Sequence, residues 1–248
     1  MGIVDMTVTH DKRADRGAPS YVWRAGQDRR LAMIRAWGNP TGAMILIDGC
    51  GVGQYGAHLL EESPHVYQFD IERERALEAI HRAPNTHVAA AEHLPYPKNT
   101  FDLILSHEVL EHVQDDRAAL AEMARALRPG GRAIIFCPNR WYPFETHGHY
   151  WQGRYHFGNT PLINFLPDPL RNRLAPHVRA YTYHGLRRLI DGLPVRVAYH
   201  TRIFGAYDNL IARFGAPGKI LRASMQFLER TPLKLFGLSH VLVLEKVA

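Results

Sequence analysis

Two acids and three glycines provide the clearest chemical signal in this sequence. Asp48 ends a short apolar run and is followed by Gly49, Gly51 and Gly53, and Asp70 ends a second such run 22 residues later. Glycines let a ligand lie against the bare backbone at the start of the next helix. An acid after the second strand can accept hydrogen bonds from ribose hydroxyls. The structural alternative is a tight turn, with Asp70 capping the following helix.

The elements that hold these residues alternate between strands and helices. Apolar runs predict strands at residues 43–47, 65–70, 86–90, 101–106 and 132–137. Helical spacing of apolar residues predicts helices at 21–37, shortly after residue 53, at 71–80 and at 115–127. This alternation is typical of an α/β fold with a doubly wound, mostly parallel sheet, whose ligands bind at the carboxyl ends of the strands.

Polar residues follow each of the five predicted strands. They are Asp48, Asp70, Glu92, Ser106 with His107, and Asn139. Because the carboxyl ends of parallel strands share one edge of the sheet, we expect these residues to lie around a single ligand site.

Length, composition and charge restrict the class of protein. The chain of 248 residues is 46% apolar and 22% charged, as expected for a soluble globular protein with one large domain. It has no run of about 18 apolar residues, so no transmembrane helix is expected. Two cysteines, Cys50 and Cys137, suggest buried thiols in a reducing compartment rather than a disulfide framework.

The charge is unevenly distributed along the chain. Residues 1–138 contain 15 Lys and Arg against 18 Asp and Glu, whereas residues 139–248 contain 15 against 6. A basic C-terminal part favours acidic acceptors, anionic lipids or nucleic acid as partners, and the plain alternative is a solvated basic face.

Six segments in one order and spacing resemble a known family. They are residues 48–53 (DGCGVG), 69–70 (FD), 91–96 (AEHLPY), 101–104 (FDLI), 109–113 (VLEHV) and 127–131 (LRPGG). Together they are similar to the class I S-adenosylmethionine-dependent methyltransferases, in the subgroup of ubiquinone and menaquinone biosynthesis enzymes (methyltransferase type 11). The resemblance implies a seven-stranded Rossmann-like sheet with an inserted cap, and S-adenosylmethionine as methyl donor, with S-adenosylhomocysteine as product.

The resemblance also implies which residues hold the cofactor. The glycine turn is expected against the methionyl group, Asp70 at the ribose, and the turn after the third strand at the adenine. The full set is Asp48, Gly49, Cys50, Gly51, Gly53, Asp70, Ile71, Ala91, Glu92, Ser106 and His107, with Tyr21 and Arg24 as candidates for the cofactor carboxylate. Ala90 stands where the family usually has an acid for the adenine amino group, and Glu92 is a candidate substitute. His112 is expected to be structural.

The segment 139–151, rich in aromatic residues and histidines, is expected to form a loop beside the methyl group, because it follows the fifth strand. A hydroxyl acceptor requires a general base, and His147 or His149 is our candidate, with Glu145 as orienter. One alternative to a catalytic role is that these loop residues pack together as a lid. A metal site formed by Glu145, His147, His149 and His156 is another, but the sequence favours no metal.

The remainder of the chain is expected to select the acceptor. Residues 160–180 suggest an irregular cap, 183–191 a helix, and 195–200 and 239–245 two further strands, which the resemblance implies to be antiparallel neighbours. The basic and apolar connection 203–238 suits a cap, a contact between two copies, or a membrane surface.

The sequence therefore predicts three regions and one activity. Residues 1–20 form a flexible lead-in without the apolar centre of a signal peptide, 21–138 a cofactor-binding core, and 139–248 a cap on the acceptor side plus the last two strands. The activity is methyl transfer by direct displacement to a small-molecule or lipid- or sugar-linked acceptor, with oxygen favoured. The alternatives are an RNA methyltransferase, for which no binding module is recognisable, and a non-catalytic partner subunit. A cytoplasmic location is expected, with membrane association left open.

Overall fold

A computed structural model describes residues 21–247, so the predicted lead-in at residues 1–20 lies outside the described part of the chain. The strands in chain order are β1 (Ile45–Asp48), β2 (Val66–Asp70), β3 (Thr86–Val88), β4 (Phe101–His107), β5 (Leu127–Pro138), β6 (Phe144–Glu145), β7 (His149–Trp151), β8 (Arg154–His156), β9 (Thr160–Pro161), β10 (Val195–Ile203) and β11 (Ser239–Lys246). The helices are α1 (Ala25–Gly38), α2 (Gln54–Leu59), α3 (Arg73–Ala79), α4 (Asp116–Ala126), α5 (Asp168–Leu174), α6 (Tyr183–Leu189), α7 (Asp208–Phe214) and α8 (Ala216–Leu228), with 3₁₀ turns at Ile163–Phe165 and Pro232–Phe236.

Seven strands form one sheet in the order β10-β11-β5-β4-β1-β2-β3. The pairs β1–β2, β1–β4, β2–β3 and β4–β5 are parallel, whereas β11 is antiparallel to both β5 and β10. The predicted doubly wound fold and the antiparallel pairing of the last two strands are confirmed. The chain runs outward from β1 to β3 and then crosses to β4 on the other side of β1. At such a switch in strand order the loops diverge and leave a crevice.

Alternating side chains of the central strands pack into two buried layers. Ile45 and Ile47 lie on the face covered by α1 and α2, and Leu46 lies on the face covered by α4 and α6. All four residues of β1 are buried, as a continuous apolar run predicts for a strand covered on both sides. The central strands are therefore fixed from both faces, and their carboxyl ends form a rigid edge.

The segment predicted as a loop at 139–151 instead contains two short strands. β6 pairs with β9, and β7 pairs with β8 in a hairpin. The hairpin turn is Gln152–Gly153, where both residues have positive φ (48° and 76°), a conformation that suits a two-residue turn between strands. The predicted irregular cap at 160–180 includes the helix α5.

The connection 203–238 forms a pair of helices and a 3₁₀ turn beside α1. Glu229 pairs with Arg29, and the Gly26 N–H donates to Asp208. Its outer surface leaves large apolar side chains exposed, with Ile220 and Phe227 more than 60% accessible. Within residues 21–247, none of the helices combines the length and the apolar character needed to cross a bilayer.

Candidate active site

A cleft of about 1190 Å³ lies over the carboxyl ends of β1, β2 and β4. Its volume exceeds that of a pocket for one drug-sized ligand, so it can hold a cofactor together with part of a second reactant. Most of the sequence-predicted cofactor residues line the cleft. With Ala91 they number nine: Asp48, Gly49, Cys50, Gly51, Asp70, Ile71, Ala91, Glu92 and His107.

The glycine turn and Asp70 form one hydrogen-bonded unit. The Gly51 N–H donates to Asp70 Oδ2, and the Glu72 N–H donates to Oδ1, both at 2.9 Å. Gly49 and Gly51 have positive φ (63° and 54°), which L side chains rarely adopt. Burial raises the pKa of Asp70, and these two backbone bonds oppose the rise. A carboxylate oxygen accepts more than one hydrogen bond, so Asp70 retains capacity for ribose hydroxyls.

Asp48 is buried at the end of β1 and only partly satisfied. Its Oδ2 accepts from Ser106 Oγ at 2.9 Å, and its Oδ1 has no hydrogen-bond partner among the described residues. Burial raises the pKa of Asp48 to about 7, although the bond from Ser106 lowers it. Ser106 itself is buried behind Asp48 and does not line the cleft, so it positions the acid from behind.

At the β3 end, Glu92 has a structural contact that the sequence did not suggest. Its Oε1 accepts from the backbone N–H groups of Gln114 and Asp115 at 2.7 and 3.3 Å. The carboxylate therefore fixes the turn that precedes α4. Ala90, where the family usually has an acid, also lines this end.

Besides Ser106, three sequence-predicted cofactor residues lie outside the cleft lining. Tyr21 is 61% exposed and its carbonyl accepts from Gln54; Arg24 precedes α1 and its guanidinium donates to Asn209 at 2.9 Å. Gly53 begins α2 and packs against Ala79. The residue of the N-terminal helix that lines the cleft is Gln27, one turn beyond Arg24. It was missed because helical periodicity does not separate neighbouring polar positions on a half-exposed helix.

The two cysteines are free thiols. Burial raises the pKa of both Cys50 and Cys137 well above the ordinary value, so neither is a reactive thiolate. His107 stacks near Tyr55 and Phe136, and burial lowers its pKa to about 3. It is therefore a neutral imidazole in the cleft wall.

The β4 end of the cleft is lined by His107, the last residue of β4, by Glu108 and Val109 after it, and by Thr146 and His147 after β6. His147 Nδ1 lies 3.1 Å from Glu145 Oε1, and Glu145 Oε2 accepts from the buried Arg171 at 2.8 Å. Burial alone would raise the pKa of Glu145, but the hydrogen bond from His147 and the nearby charges lower it to about 2. Glu145 is thus an ionised carboxylate, and its contact with Nδ1 fixes the orientation of the His147 ring.

His149 has different surroundings. Its Nδ1 lies 3.0 Å from Thr160 Oγ1, its ring stacks on His156 at 5.3 Å, and it does not line the cleft. His147 and His149 flank Gly148, whose φ of 81° turns the chain and separates the two side chains. The structure therefore does not gather the sequence-derived metal quartet of Glu145, His147, His149 and His156 into one site.

Instead, His147 lies next to two acids from the segment after β4. Its Nε2 is 3.9 Å from Glu108 Oε2 and 3.9 Å from Glu111 Oε1. Glu108 has a φ of 56°, an uncommon conformation for a non-glycine residue and one often found at functional sites. Burial and the charge of Glu108 raise the pKa of Glu111 well above the ordinary value. Sequence reasoning assigned His112 a structural role and did not single out Glu111.

The fold and the cleft define a Rossmann-like α/β protein with a site for a nucleoside-bearing ligand. The residues fit S-adenosylmethionine: the turn at Gly49 and Gly51 offers bare backbone, Asp70 suits ribose hydroxyls, and Asp48 offers a buried carboxylate oxygen. Residues 47–135 match the family described as "Methyltransferase domain".

Comparison with known proteins gives the family. The demethylmenaquinone methyltransferase of Beutenbergia cavernae is 30% identical over 188 residues, which cover 72% of this chain and 73% of that protein. The ubiquinone biosynthesis O-methyltransferase of Aeromonas salmonicida is 32% identical over 110 residues, 42% of this chain and 46% of that protein. An S-adenosylmethionine-dependent methyltransferase structure from Mesorhizobium loti superposes with a TM-score of 0.60 at 17% identity, covering 87% of this chain and 96% of that one.

The chain belongs to the class I S-adenosylmethionine-dependent methyltransferases of the quinone-biosynthesis type. It is an enzyme of this class, with S-adenosylmethionine as cofactor, as the sequence motifs predicted.

Proposed function

We propose that this enzyme methylates an oxygen atom of a small-molecule or lipid- or sugar-linked acceptor. The observation that carries the proposal is a pair at the β4 end of the cleft: His147, which lines the cleft, and Glu145, whose Oε1 lies 3.1 Å from His147 Nδ1. Displacement at a sulfonium methyl requires alignment and the exclusion of water, and a hydroxyl acceptor must also lose its proton. A polar pair at this end therefore favours oxygen over an amine, which can lose its proton to water.

The strand order supports this orientation of the donor. Asp70 after β2 would hold the ribose and the glycine turn after β1 would admit the methionyl group, which would direct the methyl group toward the residues after β4 and β5. When bound, S-adenosylmethionine supplies an electrophilic methyl group on a sulfonium centre. His107 and Val109 wall this end, and Thr146 and His147 cover it from the segment after β6.

A second, smaller cavity supports an acceptor site here. It has a volume of about 200 Å³ and shares His107, Glu108 and Thr146 with the large cleft. Tyr142 and Phe144 give its far wall an aromatic surface. A flat ring or short apolar chain that carries a hydroxyl group fits this combination of aromatic walls and a polar mouth.

His147 and Glu145 are the proposed acceptor-activating pair of side chains, with Glu145 as the positioning residue. His149, the other sequence-based candidate, contacts Thr160 and His156, and we restrict the proposal to His147. For the cofactor, we propose that Asp70 binds the ribose, that Gly49 and Gly51 admit the methionyl group, and that Ser106 acts through Asp48.

The test has a binding step and a transfer step. Isothermal titration with S-adenosylhomocysteine should show one site per chain. Methyl transfer from labelled donor should then be measured to a panel of phenols, catechols, hydroxylated prenyl lipids, glycolipids, amines and RNA. We expect product with an oxygen acceptor, and about a 100-fold or greater loss of kcat in His147→Ala.

The matched control is Glu122→Gln, because Glu122 is paired with Arg125 on α4 outside the cleft lining. Its kcat should stay within about twofold of wild type, whereas Glu145→Gln should lose activity. Transfer confined to amines or to RNA would refute the assignment to oxygen. Lack of any transfer despite binding of S-adenosylhomocysteine would support a non-catalytic subunit instead.

The segment 203–238 is proposed to contact an anionic membrane surface that presents a lipid-linked acceptor. Ile220 and Phe227 lie two turns apart on one face of α8 and are 67% and 62% exposed, with Lys219 and Arg230 nearby in sequence. Apolar and basic side chains together are typical of an interfacial helix.

The fraction of protein that sediments with vesicles tests this proposal. It should be larger with phosphatidylglycerol than with phosphatidylcholine vesicles, and smaller in the double variant Ile220→Ser/Phe227→Ser. A dimer that dissociates in the same variant, without vesicle binding, would favour contact between two copies.

A further inference from the structure

Three side chains at the acceptor end of the cleft place potential metal ligands close together. Glu111, His112 and His147 each offer one potential ligand atom, a carboxylate oxygen or an imidazole nitrogen. These three atoms lie within 4.8 Å of one another. Glu108 borders the group, since its Oε2 lies 3.9 Å from His147 Nε2. The residues come from two separate segments, the turn after β4 and the turn after β6, which are both fixed to rigid strands.

The carboxylate of Glu111 is buried without a donor. Its side chain has 0% exposure, and neither oxygen has a hydrogen-bond partner among the described residues. Its immediate neighbour Glu108 is another acid. The ionised form of Glu111 is costly here, because neither oxygen has a donor and the acid beside it adds repulsion. A cation placed between these groups removes both costs.

The two imidazoles are oriented as metal ligands usually are. His147 Nδ1 lies 3.1 Å from Glu145 Oε1, and the other ring nitrogen, Nε2, lies 3.9 Å from both Glu108 Oε2 and Glu111 Oε1. The ring of His112 bonds the backbone of His177, and its Nδ1 is buried with no partner among the described residues. A ligating histidine typically binds the metal through one nitrogen and an acceptor through the other.

Glu145 is itself held in place from the other side. Arg171 of α5 donates to Glu145 Oε2 at 2.8 Å, and both side chains are 3% exposed. This chain of contacts, from Arg171 through Glu145 to His147, fixes the ring without using Nε2. The orientation of His147 is therefore fixed from the side of Nδ1, through Glu145 and Arg171.

We propose that Glu111, His112 and His147 bind a divalent first-row transition metal ion, with Glu108 as an additional oxygen ligand. Two imidazoles and one carboxylate on one face suit Zn²⁺, Fe²⁺, Mn²⁺ or Co²⁺ better than Mg²⁺, which prefers oxygen ligands. Such a face leaves coordination positions open toward the cleft. This proposal deepens the proposed oxygen methylation and rests on it for its chemical purpose, which is to bind and activate the acceptor hydroxyl.

The chemical step balances without an oxidant or reductant. A hydroxyl group bound to the metal ion loses its proton to water more readily, because the cation stabilises the oxyanion. The oxygen then forms a bond to the methyl carbon, the carbon–sulfur bond breaks, and its electron pair stays on sulfur. The products are the methyl ether, S-adenosylhomocysteine and one proton released to solvent.

Metal binding can be measured without any acceptor. Full-length protein is stripped with a chelator and titrated with Co²⁺, whose visible absorption reports coordination by nitrogen and oxygen, and then with Zn²⁺ as a competitor. We expect one ion per chain, displaced by Zn²⁺. The variants His147→Ala and Glu111→Gln should weaken affinity at least 10-fold, and Glu145→Gln by about 10- to 100-fold.

His149→Ala is the matched control, because this histidine lies in the same segment but contacts Thr160 instead of the cluster. It should bind Co²⁺ as wild type does. Each variant is also titrated with S-adenosylhomocysteine, which shows that the cleft is folded. Absence of saturable binding of one ion, or equal affinity in wild type and His147→Ala, would overturn the metal site.

The two proposals fail in different ways. If the stripped wild-type protein binds S-adenosylhomocysteine and methylates a hydroxyl at full rate without metal, the role of the metal in activating the acceptor is refuted and oxygen methylation stands. If one ion binds through these residues but only nitrogen acceptors are methylated, the metal site stands as a binding site and the proposal of oxygen methylation is refuted.

Discussion

Replacing Asp70 with asparagine tests the assignment of the ribose site most directly. The carboxylate accepts one backbone N–H on each oxygen, from Gly51 and from Glu72. An amide keeps one accepting oxygen and turns an NH₂ group toward the other donor. The substitution thus removes the charge, loses one of two bonds that organise the glycine turn, and removes an acceptor for the ribose.

The size of the effect follows from these contacts. A hydrogen bond to a charged group contributes about 1.5–3 kcal/mol, and an unpaired buried donor costs about as much. We therefore expect Asp70→Asn to lower the free energy of unfolding by about 1–3 kcal/mol. Loss of one ribose contact and a loosened turn should raise the Kd for S-adenosylhomocysteine by about 10- to 100-fold, since every 1.4 kcal/mol is a factor of about 10.

The control is Asp102→Asn at the opposite end of the sheet. Asp102 Oδ2 accepts from the Met44 N–H at 2.8 Å and its other oxygen pairs with Arg128, so it loses comparable contacts far from the cleft. Urea unfolding and calorimetric titration should show both variants destabilised but only Asp70→Asn weakened in binding. If Asp70→Asn binds S-adenosylhomocysteine as tightly as wild type, the ribose assignment is wrong.

Three further predictions concern burial. Arg171→Met leaves Glu145 buried with His147 alone, and urea unfolding should show a loss of about 3–5 kcal/mol, as for a broken buried ion pair; a loss below 1 kcal/mol would contradict it. Burial lowers the pKa of His240 to about 4, whereas the same side chain in the unfolded chain has a pKa near 6.5. Because the unfolded chain takes up the proton first as the pH falls, the free energy of unfolding of the wild type should decrease below pH 6.5. By pH 5, His240→Gln should have lost about 2 kcal/mol less of this free energy than the wild type. Gly49→Ala places a Cβ 2.3 Å from a methyl group of Val109 at a backbone φ of 63°, and thermal unfolding should show a stability lower by about 1–3 kcal/mol. Adding Val109→Ala should restore only the part of this loss that is due to the clash.

The cofactor half of the molecule could be predicted from sequence because its signals are local. The run that ends at Asp48 must be buried on both faces, and the glycines that follow permit one kind of turn. Strand order and the position of Asp70 then follow from a right-handed βαβ unit. The structure shifts element ends by a few residues, as where α1 begins at Ala25, because capping contacts decide the ends of a helix.

The acceptor half could be predicted only in part, because its contacts are remote in sequence. His147 and His149 have the same residue type and are two positions apart, and only the positive φ of Gly148 separates their surroundings. The hairpin β7–β8 depends on a Gln152–Gly153 turn that resembles any loop in sequence. A sequence signal for Glu111 did exist, since Glu111 and His112 interrupt an otherwise apolar run. Its neighbour in the structure, His147, lies 36 positions away in the sequence.

The two halves differ in how the site is built, and this bears on which part selects the acceptor. At the proposed cofactor end, Gly49 and Gly51 add no side chains to the cleft lining, and the Asp70 carboxylate accepts from the Gly51 N–H. At the acceptor end the lining consists of side chains whose orientation depends on a buried ion pair, because Arg171 fixes Glu145 and Glu145 fixes His147. Backbone surfaces tolerate changes of side chain elsewhere, whereas a chain of side-chain contacts is lost when one member changes. We therefore expect acceptor chemistry to depend on residues 144–171, outside the segment that matches the family, together with Glu108 and Glu111 inside it.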